Sequence, residues 1–229
     1  MGNHINAVPS HSLMRLDVEL ITQDEKTVDC GLACVSMVMA YHGVEKSIPD
    51  LAREVDVKEK VGTYMPQLGT CLLRNGFSAE MVTMNPFAFT RSMADLPKDE
   101  LSDHLFCIYK ETQKDDLREA AGYFIEFLEE GGALDIKVPT VDDIVNELDA
   151  GRPSMTLLTS HFLLNDRPAY NFHFNVITGL EDGKVHVNDP LWNFMGGKKS
   201  YPVDDFMYGI HAGAFGALDH ASIMRVRPY

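Results

Sequence analysis

One segment of the chain is apolar around the whole circumference of a helix. Residues 30–41, CGLACVSMVMAY, carry small or apolar side chains at nearly every position. Asp29 precedes them where an N-cap would stand, and Gly43 follows where helices commonly end. A helix that is apolar all round has to be buried on every side. The sequence therefore predicts a central core helix, around which the other elements are built.

The elements change type along the chain. Before about residue 135 the patterns predict helices over 47–55, 63–76, 99–109 and 114–130, and a single strand over 77–84. After it they predict helices over 140–151 and 203–208, and strands over 153–164, 170–180, 184–189 and 221–226. Helices followed by an antiparallel sheet are typical of an α+β fold rather than of βαβ units. We expect a single domain over 1–229, with a helical lobe at about 20–135, a sheet lobe at about 136–229 and a cleft between them.

Length and charge narrow the classes of function. A chain of 229 residues with 45% hydrophobic and 24% charged residues can bury a sizeable core. Its 20 Lys and Arg against 34 Asp and Glu give a net charge of −14, which repels a phosphate backbone. No window approaches the roughly 18 apolar residues of a membrane span, and the N-terminus has no signal-peptide pattern. We therefore expect a soluble cytoplasmic protein with no nucleic-acid or membrane partner.

The four cysteines point to thiol chemistry rather than to cross-links. Cys30, Cys34, Cys71 and Cys107 form neither a disulfide framework at this length nor a zinc-binding spacing, so we expect reduced thiols, no metal and no cofactor. Cys30 opens the predicted core helix, where the positive end of the helix dipole favours a thiolate. This is a nucleophile's position, although a free cysteine is more often a small apolar packing residue. Cys34 lies one turn deeper, where packing is the expected role.

A second candidate group lies on a predicted hairpin. His173 in NFHFNVITGL and Asp189 in VHVNDP would face each other if the hairpin loop were centred on Glu181. A two-residue Asp182-Gly183 turn would instead set Val176 opposite Asp189 and separate the pair. The alternatives are a hydrogen-bonded core histidine and an aspartate that forms an Asx turn before Pro190.

Together these residues have the chemistry that acyl transfer needs. A Cys30 thiolate would attack a carbonyl, and His173 would hold the thiolate and later protonate the leaving amine. Asp189 would orient the imidazole ring. Gln23 and the Cys30 backbone N–H would then stabilise the oxyanion.

Several segments resemble a known family. QDEKTVDCGLACVSMVMAYHG is similar to the nucleophile segment of the bacteriocin-processing cysteine peptidases, which cleave double-glycine leader peptides and belong to the papain-like superfamily. FHFNVITGLEDGKVHVNDP resembles that family's histidine and aspartate strands. Other segments, including PQLGTCLLRNGF and VDDIVNELDAG, resemble the stand-alone proteins called guanylyl-cyclase-domain-containing. The resemblance implies a papain-like fold with Cys30 as the nucleophile, His173 as the base and Asp189 as the orienting acid.

One position departs from the family's pattern. The family's oxyanion glutamine usually lies six residues before the cysteine, whereas Gln23 lies seven before Cys30 and Asp24 occupies position six. A carboxylate would oppose an oxyanion, so Gln23 stays the candidate if the loop holds one extra residue.

We expect a cysteine peptidase or amidase that acts on a peptide or amide substrate. The alternatives are an acyltransferase or amide-bond-forming enzyme on the same triad, and a catalytically silent peptide-binding module. Nucleotide cyclisation is disfavoured, because the sequence shows neither a carboxylate cluster for two metals nor a Gly-rich phosphate loop.

Overall fold

The computed structural model describes residues 14–57, 62–159, 163 and 172–229. Helices and strands alternate along the chain more than the sequence patterns predict. The helices are α1 (Cys30–Tyr41), α2 (Ile48–Leu51), α3 (Met65–Arg74), α4 (Lys98–Glu111), α5 (Asp115–Glu129), α6 (Val141–Asp149) and α7 (Val203–His211). The strands are β1 (Met14–Arg15), β2 (Phe77–Met84), β3 (Ala133–Ile136), β4 (Ser154–Thr159), β5 (Phe172–Glu181), β6 (Lys184–Asp189), β7 (Gly197–Pro202) and β8 (Ala221–Pro228).

All eight of these strands join in one sheet. Its order is β3-β2-β8-β4-β5-β6-β7, and β1 pairs with β5 beyond the end of β4. Only the β2–β3 pairing is parallel; the others are antiparallel. The α+β prediction is confirmed, but the boundary near residue 135 does not divide the sheet. The alternating strand β2 needs a partner, and β8 pairs with it along its whole length, from Phe77↔Pro228 to Met84↔Ala221.

The sheet is covered by helices on both faces. On one face, α1, α3 and α5 pack through Leu32, Leu68 and Phe124 in a core that includes Val176 and Met224. On the other face, α6 and α7 complete a second core, built on Ile144, Phe206, Val187 and Ile223. Every residue of α1 from Gly31 to Met39 is buried. The prediction of a central core helix is therefore confirmed. The helix α1 is buried because α2, α3 and β5 all contact it.

The two ends of α1 differ in how well the sequence predicts them. Gly43 follows the last turn with φ +83°, as expected for a helix end. Asp29 occupies the N-cap position, but its side chain makes no capping hydrogen bond. Its backbone (φ −90°, ψ 17°) is not in the extended conformation that turns a capping side chain back onto the helix.

Several predicted bounds change. Ser47 does cap α2, accepting a hydrogen bond from the Asp50 N–H, but this helix ends at Leu51 rather than near Val55. The strands β1, β3 and β7 and a short 3-10 helix, Arg91–Met93, were not predicted. The predicted strands over 153–164 and 170–180 extend partly outside the described residues. Within the described part of the chain, no helix has the length and apolar character that crossing a membrane requires.

Candidate active site

The β5–β6 hairpin turns through two residues, Asp182 and Gly183. Glu181 pairs with Lys184, and the two turn residues have φ +49° and +70°, the positive values of a type I′ turn. The predicted loop centred on Glu181 is therefore wrong. The type I′ turn matches the twist of the flanking strands, and glycine accepts its second positive φ without strain.

A β-bulge then changes the register of this hairpin. Gly179 pairs with His186, but Ile177 pairs with Val187, which leaves Thr178 as an extra residue on β5. One extra residue moves the side chains of the first half of β5, before Thr178, to the opposite face relative to β6. Val176 consequently pairs with Asn188 and not with Asp189, so the expected consequence of a two-residue turn is also wrong.

The bulge brings His173 and Asp189 onto one face of the hairpin. Continuing the register past Val176↔Asn188 sets Asn175 opposite Asp189, and His173 lies two residues further along the same face. Diagonal neighbours of this kind lie within reach of long side chains. His173 Nε2 is 2.7 Å from Asp189 Oδ1, and both side chains are buried.

Asp189 is itself held by the chain that follows it. Its Oδ1 also accepts a hydrogen bond of 2.9 Å from the Leu191 backbone N–H, which forms an Asx turn. The Asx turn that the sequence offers as another role for Asp189 is thus present together with the contact to His173. The Leu191 N–H fixes the carboxylate that orients the His173 ring.

Cys30 is the first residue of α1 and is partly exposed. Burial raises the pKa of its thiol, but a hydrogen bond and the charge of His173 lower it further, and the result is a pKa below the ordinary value. The backbone N–H groups of Phe174 and Gly31 also lower this pKa by hydrogen bonding to the sulfur. The helix N-terminus and β5 therefore stabilise a thiolate at this position.

His173 shows the complementary change. Burial lowers its pKa, but the hydrogen bonds to Asp189 and Cys30, with the charges of both, raise the pKa to about 10. Because Nε2 bonds Asp189, Nδ1 is the ring nitrogen left for Cys30. A lowered thiol pKa beside a raised imidazole pKa favours a thiolate–imidazolium pair.

The other cysteines lack this environment. Cys34 is fully buried, and burial with the nearby charges of Cys30 and Asp189 raises its pKa well above the ordinary value. Burial and the neighbouring Glu54 carboxylate raise the pKa of Cys71 to about 12. Cys107 is exposed on α4. Cys30 is therefore the cysteine for which the structure provides both a lowered pKa and a histidine partner.

Gln23 is buried before the nucleophile, whereas Asp24 is exposed. The Gln23 Nε2 donates a 2.6 Å hydrogen bond to the Thr27 carbonyl, and the Gln23 backbone N–H donates to the Pro190 carbonyl at 2.8 Å. The turn between Asp24 and Thr27 is tight, with Lys26 at φ +66°. This turn lies between Gln23 and Cys30, and the role of Gln23 at the oxyanion stays a prediction.

Sequence reasoning missed the backbone groups of the site. The N–H groups of Phe174 and Leu191 carry no residue-type signal. Gly179, an isolated glycine within the strand pattern and next to Thr178, is the signal that could have indicated the bulge. The sequence does indicate Cys30, His173 and Asp189, because their chemistry is visible in their residue types. The structure places these three side chains together, and their catalytic roles stay a prediction.

Comparisons with known proteins identify the family and the fold of this chain. The model of the Peptidase_C39-like family matches residues 15–209. A putative C39-like peptidase from Bacillus anthracis aligns with a TM-score of 0.51 and 14% identity over 95% of this chain and 98% of its own. The peptidase domain of Streptococcus ComA, a bi-functional ABC transporter, aligns with a TM-score of 0.50 and 12% identity over 93% of this chain and 99% of its own. No curated protein matches the sequence.

The two structural alignments are below 25% identity, so they establish the shared fold and nothing about substrate. The family match covers most of the chain and confirms the family resemblance seen in the sequence; it supports cysteine peptidase function in general terms. This chain belongs to the Peptidase_C39-like family.

Proposed function

We propose that this protein is a cysteine peptidase that cleaves a peptide or amide bond through an acyl-enzyme on Cys30. The observation that carries the proposal is the pair of opposite pKa changes at Cys30 and His173, with Asp189 hydrogen-bonded to the far side of the imidazole. Family membership supports the same chemistry. A buried structural cysteine would have a raised pKa, as Cys34 has.

The chemistry follows from the position of each group. The Cys30 thiolate attacks the carbonyl carbon, and the resulting tetrahedral intermediate expels the amine as His173 gives it a proton. Neutral His173 then takes a proton from water, and the hydroxide attacks the thioester carbonyl to release the acid and regenerate the thiolate. Asp189 holds the ring so that Nδ1 faces the sulfur throughout.

The oxyanion would be stabilised by the Cys30 backbone N–H and the Gln23 amide. The first N–H groups of a helix have no partner within the helix, so that of Cys30 is free for this role. The Gln23 Nε2 carries two N–H groups, and one of them is anchored on the Thr27 carbonyl. Its second N–H is the group we assign to the oxyanion.

The sequence leaves two other functions open, a catalytically silent binding module and an acyltransferase. A catalytically silent binding module is disfavoured, because Cys30 is partly exposed and its pKa is lowered. Transfer of the acyl group to an amine or thiol uses the same residues as hydrolysis. The products of the reaction separate these two chemistries.

The experiment is to compare peptide cleavage with and without the Cys30 thiol. A peptide library is incubated with the wild type, with Cys30→Ser and with the control Cys107→Ser, which changes an exposed thiol on α4. We expect cleavage by the wild type and the control, detected by mass spectrometry, and turnover reduced at least 1,000-fold in Cys30→Ser, on the order of measured triad losses. Cleavage by Cys30→Ser at a rate near wild type would refute the proposal.

A further inference from the structure

The chain between β6 and β7 forms a loop at the acid of the triad. We call residues 190–196, PLWNFMG, the aromatic loop. The β6–β7 ladder pairs Asp189 with Gly197, so both ends of the aromatic loop lie at Asp189. The Pro190 carbonyl also accepts the hydrogen bond from the Gln23 N–H. The aromatic loop is therefore attached both to the residue that orients His173 and to the oxyanion candidate.

Hydrogen bonds hold the aromatic loop in one conformation. The Leu191 N–H donates to Asp189 Oδ1, and the Met195 N–H donates to Asn193 Oδ1 at 2.9 Å. The Gly196 N–H donates to the Asn193 carbonyl at 3.0 Å. Gly196 packs so closely on Leu191 that a Cβ there would lie 2.6 Å from the Leu191 carbonyl carbon. Such a loop holds its side chains in fixed positions without needing to bury them.

Its large apolar side chains are not used in the core. Trp192 is 45% exposed and Phe194 is 88% exposed, while Leu191 and Met195 are half-buried. None of the four belongs to either hydrophobic cluster of the sheet. Apolar side chains grouped on a fixed surface loop, without a role in the core, mark a binding surface.

We propose that Trp192 and Phe194 bind a large apolar side chain of the peptide substrate beside the scissile bond. This inference rests on the proposed function and names a feature of its substrate. The position of the aromatic loop favours a peptide, because the loop begins and ends at Asp189, which bonds His173, and its Pro190 carbonyl bonds the Gln23 N–H. A net charge of −14 disfavours an anionic membrane surface as the occupant.

The test compares the wild type with Trp192→Ala, Phe194→Ala and the double variant. Phe106→Ala is the matched control, since Phe106 is an aromatic residue of α4 that is 48% exposed and lies outside the site. Each protein digests the same peptide library, and the cleavage sites are read by mass spectrometry. We expect large apolar residues to be enriched at one position near the cleaved bond, and the enrichment to fall about tenfold in the double variant. The rate of Cys30 alkylation by iodoacetamide should stay within about twofold of wild type.

A second measurement keeps this proposal separate from the proposed function. The same library is passed over immobilised Cys30→Ala protein, with and without the two substitutions in the aromatic loop. Suppose that the wild type cleaves no peptide but that apolar peptides are retained, and that this retention depends on the aromatic loop. This result would refute the proposed peptidase function and support the aromatic loop as a binding surface.

Three results would overturn the binding surface. The first is an apolar preference, in cleavage or in retention, that the double variant leaves unchanged. The second is the absence of any peptide retention that depends on the aromatic loop. The third is loop-dependent binding to phosphatidylcholine vesicles, or loop-dependent dimerisation, with unchanged peptide selection.

Discussion

His173 Nε2 lies 2.7 Å from Asp189 Oδ1 although the two residues are not opposite each other in the β5–β6 ladder. A regular hairpin with the observed Asp182-Gly183 turn would direct these side chains to opposite faces. The bulge at Thr178 reverses the face of the first half of β5 and leaves the pair on a diagonal. The contact between His173 and Asp189 thus depends on Thr178, which has no partner in β6 and lies more than ten ångströms of strand away from His173, at about 3.3 Å per residue.

Deleting Thr178 should therefore abolish the Cys30–His173–Asp189 arrangement. Without the extra residue, β5 must either change face relative to β6 or lose its pairing with β4, where Leu158 pairs with His173. We expect Cys30 alkylation at pH 7 to slow on the order of tenfold, since loss of the partner that favours the thiolate raises the thiol pKa. Thr178→Ala keeps the backbone and serves as the control. An alkylation rate near wild type in a folded deletion variant would show that the bulge does not position the site.

The sequence predicts the elements whose pattern is local. The all-apolar run of α1 and the alternation in β2 are visible within about ten residues, and both elements form where expected. By contrast, β7 reads GKKSYP and is a strand only because it pairs with β6 at the sheet edge. The β2–β8 pairing joins residues about 145 positions apart, and no local pattern specifies such a partner.

The candidate site shows the same division. Cys30, His173 and Asp189 could be singled out because thiol, imidazole and carboxylate groups are recognisable by type and order. The Asp182-Gly183 turn is one of the two forms that the sequence left open, but neither form gives the observed pairing, since a turn and a bulge together set the register. Side-chain chemistry is encoded at single positions, whereas a bulge depends on the neighbouring strands on both sides.

Gly31 lies beside the nucleophile at a position that has no room for a side chain. A Cβ at Gly31 would collide with Thr63 Oγ1 and would lie 2.8 Å from Leu68 Cδ1. Gly31→Ala should therefore displace the first turn of α1, with a loss of about 1–3 kcal/mol of stability and slower alkylation of Cys30. Chemical denaturation and iodoacetamide kinetics measure the two effects.

Gly209→Ala is the control for this substitution. Gly209 also lies within a helix, α7, but its Cβ would meet no atom closer than 3.7 Å. Alanine there should be neutral or stabilising by up to about 1 kcal/mol, because it restricts the unfolded chain. Equal losses of stability in the two variants would show that the close contact at Gly31 is not the cause.

His220 should make the fold sensitive to acid. It is buried beside Thr83 Oγ1 and next to the Phe124 ring, and burial lowers its pKa to about 4. Between the unfolded value near 6.5 and about 4, the unfolded chain binds a proton that the folded protein does not. Stability is therefore lost as the pH falls through this range, by about 3 kcal/mol in total.

His220→Gln should remove this loss while keeping a polar partner for Thr83. Both proteins are compared as Cys30→Ala variants, because the lowered pKa of Cys30 means that a Cys30 thiolate also gains a proton on unfolding. Urea unfolding at pH 7 and pH 4.5 measures how much the free energy of unfolding of each protein falls on acidification. If the loss on acidification is the same with and without His220, the acid sensitivity has another source.

The pH dependence of cleavage should report the charge of Asp189. In the wild type, activity rises with pH as the Cys30 thiolate forms, and it falls as His173 loses its proton near pH 10. Asp189→Asn keeps an oxygen that can accept from the His173 Nε2–H and the Leu191 N–H, but it removes the negative charge that stabilises the imidazolium. We expect the alkaline limb to move to lower pH by about one unit or more and the rate at pH 7 to fall. The Phe106→Ala control should keep the wild-type profile, and an alkaline limb that does not move in Asp189→Asn would mean that Asp189 does not set the protonation of His173.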